Sequence, residues 1–96
     1  MLGVNTADAQ DKLKIHGKVC DANDGRRPID LATVSLPDFN LVTTTTSEGS
    51  YVLPQVPRGR VRMVVRYLGK LEIDTLVQVS ADTRVDFLMQ DEDFRL

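Results

Sequence analysis

The chain has 96 residues, of which 42% are hydrophobic and 27% are charged, and this composition is typical of one globular domain with a single modest core. A formal net charge of −2 excludes a strong long-range attraction to nucleic acid or to an anionic membrane surface. Apolar runs such as residues 63–65 and 87–89 are far shorter than the roughly 20 residues of a membrane-spanning helix, so we expect no direct membrane insertion of this domain.

Residues 1–11 are predicted to form a flexible N-terminal tail. Ala7-Asp8-Ala9, followed by Gln10, has the small-x-small form of a signal-peptidase cleavage site. We interpret this tail as a remnant left at the start of an exported protein, by signal-peptide cleavage or by cloning; the alternative is a simple polar tail. The single cysteine, Cys20, excludes an intramolecular disulfide and leaves the cellular compartment open.

The first half of the domain is predicted to contain four strands. Apolar and polar residues alternate over residues 13–19, and the alternation resumes over residues 32–36 after a polar loop. Residues 40–46 are rich in β-branched side chains, which favour a strand, and a short turn at residues 47–49 leads into residues 50–53. The side chains expected to face the core in the first two strands are Leu13, Ile15, Val19, Ala32, Val34 and Leu36.

Residues 60–79 are predicted to form a hairpin closed by the loop Leu68-Gly69-Lys70. On its outer face we expect Arg66 opposite Glu72 and Arg62 opposite Leu76. The pairs expected on its inner face are Tyr67–Leu71, Val65–Ile73, Met63–Thr75 and Val61–Val77.

A last strand is predicted near residues 83–89, with Val85, Phe87 and Met89 facing inward, and residues 91–96 are expected to form an acidic C-terminal linker. About seven short strands with no helix between them must bury one face of each sheet against another sheet. The sequence therefore predicts an all-β fold, a seven-stranded antiparallel β-sandwich over residues 12–90.

Several short motifs follow one another along the chain. They are Ile15-His16-Gly17-Lys18-Val19 with Asp21, then Gly25 and Pro28, Ala32-Thr33-Val34, residues 44–49 with Ser50-Tyr51, Pro57-Arg58-Gly59, the strand over residues 61–67, and Leu68-Gly69. In this order they resemble a known family, the carboxypeptidase regulatory-like domain, over roughly residues 13–90. This resemblance implies a transthyretin-like sandwich with Greek-key connections.

Domains of this family occur beside zinc carboxypeptidase catalytic domains, in surface proteins, and as the N-terminal periplasmic extension of TonB-dependent outer-membrane receptors. The signal-like remnant before the domain and the acidic residues after it favour the receptor extension. The resemblance therefore implies a non-catalytic accessory domain at the periplasmic face of the outer membrane, with a protein as its partner. The alternatives are a regulatory or folding appendage of a zinc metallocarboxypeptidase and a free-standing surface binding module.

The residues offer no catalytic site, cofactor site or metal site that we would predict. His16 and Cys20 are four residues apart on one strand, about 13 Å, which is too far for both to ligate one ion. The segment from Asp21 to Gly25 only partly matches a calcium loop, and a turn whose side chains bond their own backbone explains it better. We therefore expect no enzyme activity.

Four arginines are the candidate partner-binding residues. They follow one face of a strand with Val64 between them, and an acidic strip on a partner could dock there. The alternative is a solvated face on which Glu72 and Asp74 supply the counter-charges. The four candidates are Arg58, Arg60, Arg62 and Arg66.

Overall fold

The computed structural model describes residues 12–92, so the expected tail over residues 1–11 and residues 93–96 of the expected linker lie outside it. In this range the chain is built from strands and one short 3-10 turn, Pro37–Phe39, and it has no helix of the length and apolarity that a bilayer crossing requires. The strands are β1 (Leu13–Asp21), β2 (Thr33–Leu36), β3 (Leu41–Thr44), β4 (Ser50–Val56), β5 (Gly59–Arg66), β6 (Ile73–Val79), β7 (Thr83–Arg84) and β8 (Phe87–Met89).

The strands form two sheets that pack as a sandwich, which confirms the predicted fold class. In sheet 1, β1 lies between β4 on one side and β7 and β8 on the other; in sheet 2 the order is β3-β2-β5-β6. The chain crosses between the sheets, because β4 follows β3 into sheet 1 and β5 then returns to lie beside β2. Strand connections that cross between the two sheets are expected for the Greek-key sandwich that the family resemblance implies.

The structure has eight strands where the sequence predicted seven, because the last predicted strand is broken between Arg84 and Phe87. Both pieces run parallel to β1, in contrast to the antiparallel pairing expected throughout. No hairpin turn joins β1 to the final strand, so nothing in the local sequence imposes the opposite direction.

The break is built around Gly17 of β1. A Cβ atom at this position would lie 2.0 Å from the carbonyl oxygen of Val85, so only glycine allows the backbone to approach this closely. Two hydrogen bonds hold the broken segment against β1: Val85 N donates to His16 O over 2.8 Å, and Lys18 N donates to Asp86 Oδ1 over 2.9 Å.

The core lies between the two sheets and contains the inward-facing residues that alternation predicted for β1, β2 and β5. The predicted register of the β5–β6 hairpin is confirmed, since Val65 pairs with Ile73, Met63 with Thr75 and Val61 with Val77. The fully buried large side chains are Ile15, Val19, Val34, Leu36, Leu53, Val56, Val61, Met63, Val65, Val79 and Met89.

Four placements differ from the prediction, and one of them is Thr75, which was expected on the inner face of the hairpin but is exposed. Tyr67 and Leu71 were expected in the core but are exposed, because they lie beyond the ends of β5 and β6, where the hairpin turns. Val64, expected on a solvated outer face, is only 3% exposed, and the 3-10 turn Pro37–Phe39 packs against β5.

Candidate interaction surfaces

The predicted arginine strip lies on β5 and just before it. Strand alternation places Arg60, Arg62 and Arg66 on the outer face of sheet 2. Arg62 forms a two-point ion pair with Asp74 of β6, with Nε–Oδ1 and Nη2–Oδ2 distances of 3.0 and 2.9 Å. This hydrogen-bonded pair lowers the pKa of Asp74 and raises that of Arg62.

The other arginines of the strip differ in their surroundings. Arg66 Nε pairs with Glu72 Oε1 over 2.8 Å, as the sequence predicted, and Arg58 Nη1 donates to the carbonyl oxygen of Ser80 over 2.7 Å. Arg60 has no carboxylate partner within residues 12–92. Asp74 and Glu72 thus compensate the charges of Arg62 and Arg66, and binding of a partner at the four arginines stays a prediction.

A second surface, which we call the hairpin-tip patch, consists of Leu31, Tyr67, Leu68 and Leu71. These side chains are 67%, 40%, 95% and 50% exposed, respectively. They line one open groove of about 580 Å³ at the end of the β5–β6 hairpin. Clustered exposed apolar side chains of this kind are typical of surfaces that bind proteins or ligands.

The backbone holds the patch in place. Leu31 has a φ of 64°, a left-handed conformation that is costly for a leucine. Its N–H donates to Thr45 O over 3.1 Å, and the buried Thr45 hydroxyl donates to Ile29 O over 2.6 Å and accepts from Ala32 N over 2.9 Å. Thr45 therefore fixes the loop that keeps the Leu31 side chain outside the core.

The hairpin tip is also fastened to the C-terminal end of the domain. Lys70, whose side chain is 9% exposed, places its Nζ 2.7 Å from Asp21 Oδ2 and 2.5 Å from Asp91 Oδ1. Backbone bonds add to this, since Leu71 N donates to Gln90 O and Glu92 N donates to Gly69 O. The chain consequently leaves the described fold along the edge of the groove, which Glu92 helps to line.

Lys70 also binds the first carboxylate of the segment from Asp21 to Gly25, which partly matches a calcium loop. The Asp21 carboxylate accepts one bond from Lys70 Nζ and another from Asn23 N, over 2.8 Å. These bonds lower the pKa of Asp21, with the Lys70 bond as the largest cause. The turn predicted here, in which a side chain bonds nearby backbone, is confirmed.

No group of three or more His, Cys, Asp or Glu side chains within residues 12–92 is arranged to hold a metal ion. Alternation along β1 places His16 and Cys20 on the outer face of sheet 1. Cys20 borders a smaller cleft of about 290 Å³ together with Lys18, Arg26, Arg84 and Asp86.

Sequence reasoning missed the hairpin-tip patch because it assigned Tyr67 and Leu71 to the core. A signal was present, since the predicted turn contains Leu68, an apolar residue at a position where turns favour glycine, asparagine or aspartate. Leu31 carried no such signal, because its left-handed backbone depends on Thr45, which is distant in the sequence.

Comparison with known proteins gives both a family match and structural likenesses. The profile of the carboxypeptidase regulatory-like domain family matches residues 14–90. No curated protein matches the sequence. Two similar solved structures are chains in crystal structures of type II cohesin–X-dockerin complexes from Acetivibrio cellulolyticus, an N-terminal and a C-terminal interface mutant.

The first of these chains has a TM-score of 0.73 and 19% identity over 88% of this chain, and the second has 0.69 and 17% over 80%. The likeness at these identities concerns the fold. The alignments span 61% and 56% of the two solved chains, so this chain is similar to only part of each.

Proposed function

Because the chain belongs to the carboxypeptidase regulatory-like domain family, we propose that it is a non-catalytic accessory domain of a TonB-dependent outer-membrane nutrient receptor. It lies on the periplasmic side and acts by contact with the rest of the receptor. The family description, regulatory rather than catalytic, supports the non-catalytic part of this proposal.

The hairpin-tip patch is the observation that carries the proposed contact. Its four large apolar side chains are exposed around one groove. The hydrogen bonds that Leu71 N and Glu92 N donate hold the C-terminal end of the domain beside that groove. Any segment that follows the domain therefore begins next to an apolar surface. Burial of such side chains contributes about 25 cal/mol per Å² of apolar area, which favours a partner segment lying in the groove.

Two further observations support export of the domain and a role in protein contacts. Ala7-Asp8-Ala9 before Gln10 has the form of a signal-peptidase site ahead of the domain, as an exported receptor would have. The solved structures with a similar fold come from complexes of a cohesin with an X-dockerin, so sandwiches of this shape occur in assemblies held by protein contacts.

The coding sequence on both sides of residues 1–96 tests the host protein directly. In a receptor, we expect the domain to be followed by a plug segment and then by many strands with alternating polarity and aromatic girdles. An adjoining zinc-peptidase domain would instead identify this domain as the appendage of a metallocarboxypeptidase. A stop codon close after Leu96 would identify it as a free-standing binding module.

The contact itself is tested in the intact receptor with the double variant Leu68→Ser and Leu71→Ser. We expect a reduced rate of nutrient uptake and faster protease cleavage at the junction after the domain, because the groove loses its apolar lining. The control is Val52→Ser, which removes an apolar side chain as exposed as Leu71 from β4 in the other sheet. Uptake and cleavage equal to the control in the double variant would contradict the proposed contact.

A further inference from the structure

The four outer strand edges of the sandwich differ in how they are protected. Sheet 1 ends in β4 and in the β7–β8 pair, and sheet 2 ends in β3 and β6. An exposed edge presents unpaired N–H and C=O groups that can accept a further strand, and proteins usually block such edges. The state of each edge therefore indicates where the domain can add a strand.

Three edges carry such a block. β4 contains Pro54, which has no N–H, followed by Gln55 with a φ of 61°. The β7–β8 edge is broken between the two strands and carries the ion pair of Arg84 and Asp86. β3 has only four residues, and its neighbour across the sandwich, β4, contacts it.

The edge of β6 carries no such block in the part of the chain that the structure describes. The strand has seven residues without proline, and its register with β5 runs unbroken from Gly59–Val79 to Val65–Ile73. Its single charged residue, Asp74, is already paired with Arg62. A long, regular and nearly uncharged edge is the form that accepts another strand.

The side chains of β6 are also incompletely covered. Leu76 points outward from sheet 2 and is 60% exposed. On the inward face, Ile73 and Val77 are only half-buried and Thr75 is exposed, whereas Val79 at the end of the strand is fully buried. The side chains of a neighbouring strand would pack beside those of β6 on both faces of the sheet.

The sequence of β6 is complementary to itself. An antiparallel pairing of two β6 strands centred on Leu76 uses the whole strand and brings no like charges together. The pairs it creates are Leu76–Leu76, Thr75–Val77, Asp74–Gln78 and Ile73–Val79. Gln78 lies beside Arg60 of β5, so Asp74 of the second copy would lie two strands, about 10 Å, from that cation.

We propose that two copies of this domain associate through their β6 edges, in antiparallel register about Leu76, so that two copies of sheet 2 form one continuous sheet. This pairing is independent of the proposed receptor and of the hairpin-tip patch. It assigns to β6 a homotypic binding surface.

Sedimentation velocity of the 96-residue chain over a series of concentrations tests the pairing. We expect a concentration-dependent dimer for the unaltered chain. Leu76→Glu places two carboxylates opposite each other at the centre and is expected to weaken dimerisation more than about tenfold. The matched control is Val42→Glu, which alters an equally exposed residue on the opposite edge strand and should leave the dimer intact.

Mixing two variants with opposite charges at residue 76 distinguishes the specific β6 pairing from a general effect of surface charge. Leu76→Glu and Leu76→Lys are each expected to be monomeric alone and to form a mixed dimer when combined, because the central pair becomes oppositely charged. Far-ultraviolet circular dichroism confirms that each variant is folded. A monomeric unaltered chain at every concentration, or a Leu76→Glu variant that dimerises like the Val42→Glu control, would overturn the proposal.

Disulfide trapping tests the register. Residues directly opposite each other in an antiparallel pair have Cα atoms about 4.5–5.5 Å apart, within the range of a disulfide. In a Cys20→Ser background, Leu76→Cys is expected to form a covalent dimer on mild oxidation, and Val42→Cys is not. If the edge instead binds a strand of a different protein, Leu76→Cys yields no covalent homodimer, and the homotypic inference is wrong.

Discussion

The hydroxyl of Tyr51 donates a 2.5 Å hydrogen bond to the carbonyl oxygen of Val85. Tyr51 lies opposite Gly17 in the β1–β4 ladder, and the Val85 carbonyl occupies the space that a side chain at Gly17 would fill. The Tyr51 ring also contacts the Phe87 ring, with their centroids 6.3 Å apart. One tyrosine therefore connects β4 to the broken final strand across the glycine of β1.

Gly17→Ala is expected to lower the free energy of unfolding by about 3 kcal/mol, because the new methyl group collides with backbone atoms rather than with a flexible side chain. Urea denaturation measures the change. Gly25→Ala is the control, since a Cβ there meets nothing within 4 Å and adds only the strain of a positive φ, about 1 kcal/mol. A Gly17→Ala loss no larger than that of the control would contradict the close approach.

Tyr51→Phe is expected to lower the free energy of unfolding by about 1 kcal/mol near neutral pH, since Val85 O loses its side-chain donor. Burial raises the pKa of Tyr51 above its ordinary value of 10.0. The unfolded chain then releases this proton at a lower pH than the folded chain, so Tyr51 stabilises the fold below pH 10 and this contribution is lost as the pH rises further.

Urea denaturation at neutral pH and above pH 10 checks both parts. The alkaline loss of stability should be smaller in Tyr51→Phe than in the unaltered chain. Tyr67→Phe, which alters an exposed tyrosine, should change the stability by less than about 0.5 kcal/mol. An unchanged alkaline profile in Tyr51→Phe would be inconsistent with the buried hydroxyl.

Thr45→Val should cost about 1–3 kcal/mol of unfolding free energy, because Ile29 O and Ala32 N lose the hydroxyl that pairs with both. The shape of the side chain is nearly unchanged, so packing contributes little. Thermal unfolding compares this variant with Thr44→Val, an exposed neighbour on β3. Equal midpoints for the two variants would show that the hydroxyl bonds do not hold the loop.

Leu31→Asn is expected to raise the free energy of unfolding by up to about 1 kcal/mol, because asparagine tolerates the left-handed backbone better than leucine. The same change removes an apolar side chain from the hairpin-tip patch, so the proposed function expects slower uptake by the receptor. Calorimetry and an uptake assay measure the two effects. A less stable variant would contradict the assignment of strain to Leu31.

Lys70→Met is expected to destabilise the domain near neutral pH and to reduce its sensitivity to acid. The Lys70 bond lowers the pKa of Asp21, so the unfolded chain takes up this proton at a higher pH than the folded chain. Asp21 therefore stabilises the fold above about pH 4, and this contribution is lost as the pH falls below that value.

Denaturation at pH 7 and at pH 3 checks the prediction. Part of the acid sensitivity should remain in Lys70→Met, since the pKa values of Asp74 and Asp86 are lowered as well. Lys14→Met, an exposed lysine on β1, is the control and should keep the full acid dependence. Identical acid profiles for the two variants would argue against the Lys70 ion pairs.

Alternation along the chain predicted the elements that depend on local pattern. The β5–β6 hairpin is the clearest case, because Gly69, with a φ of 83°, fixes the turn and the turn fixes the register. Alternation does not show how far the opposite sheet extends. Tyr67 and Leu71 therefore fitted the inner-face pattern and still lie in solvent.

Features that depend on distant residues could not be predicted from the local pattern. Val85 fits the alternation of a continuous strand, and the break after Arg84 follows from the approach of Gly17, far away in the chain. The ion pairs of Lys70 likewise join three separate segments. The hairpin-tip patch depends partly on the local turn and partly on contacts with distant residues. For this reason only Leu68, which lies in the turn, indicated the patch in the sequence.

The parallel pairing of β1 with β7 and β8 joins the first strand of the domain to the last. β1 lies near the start of the domain and cannot complete its sheet until residues 83–89 have joined it. Pairings between such distant segments slow folding, because a long loop must close before any contact is gained. The side of β1 that faces away from β4 therefore stays an open strand edge until the final strands dock against it.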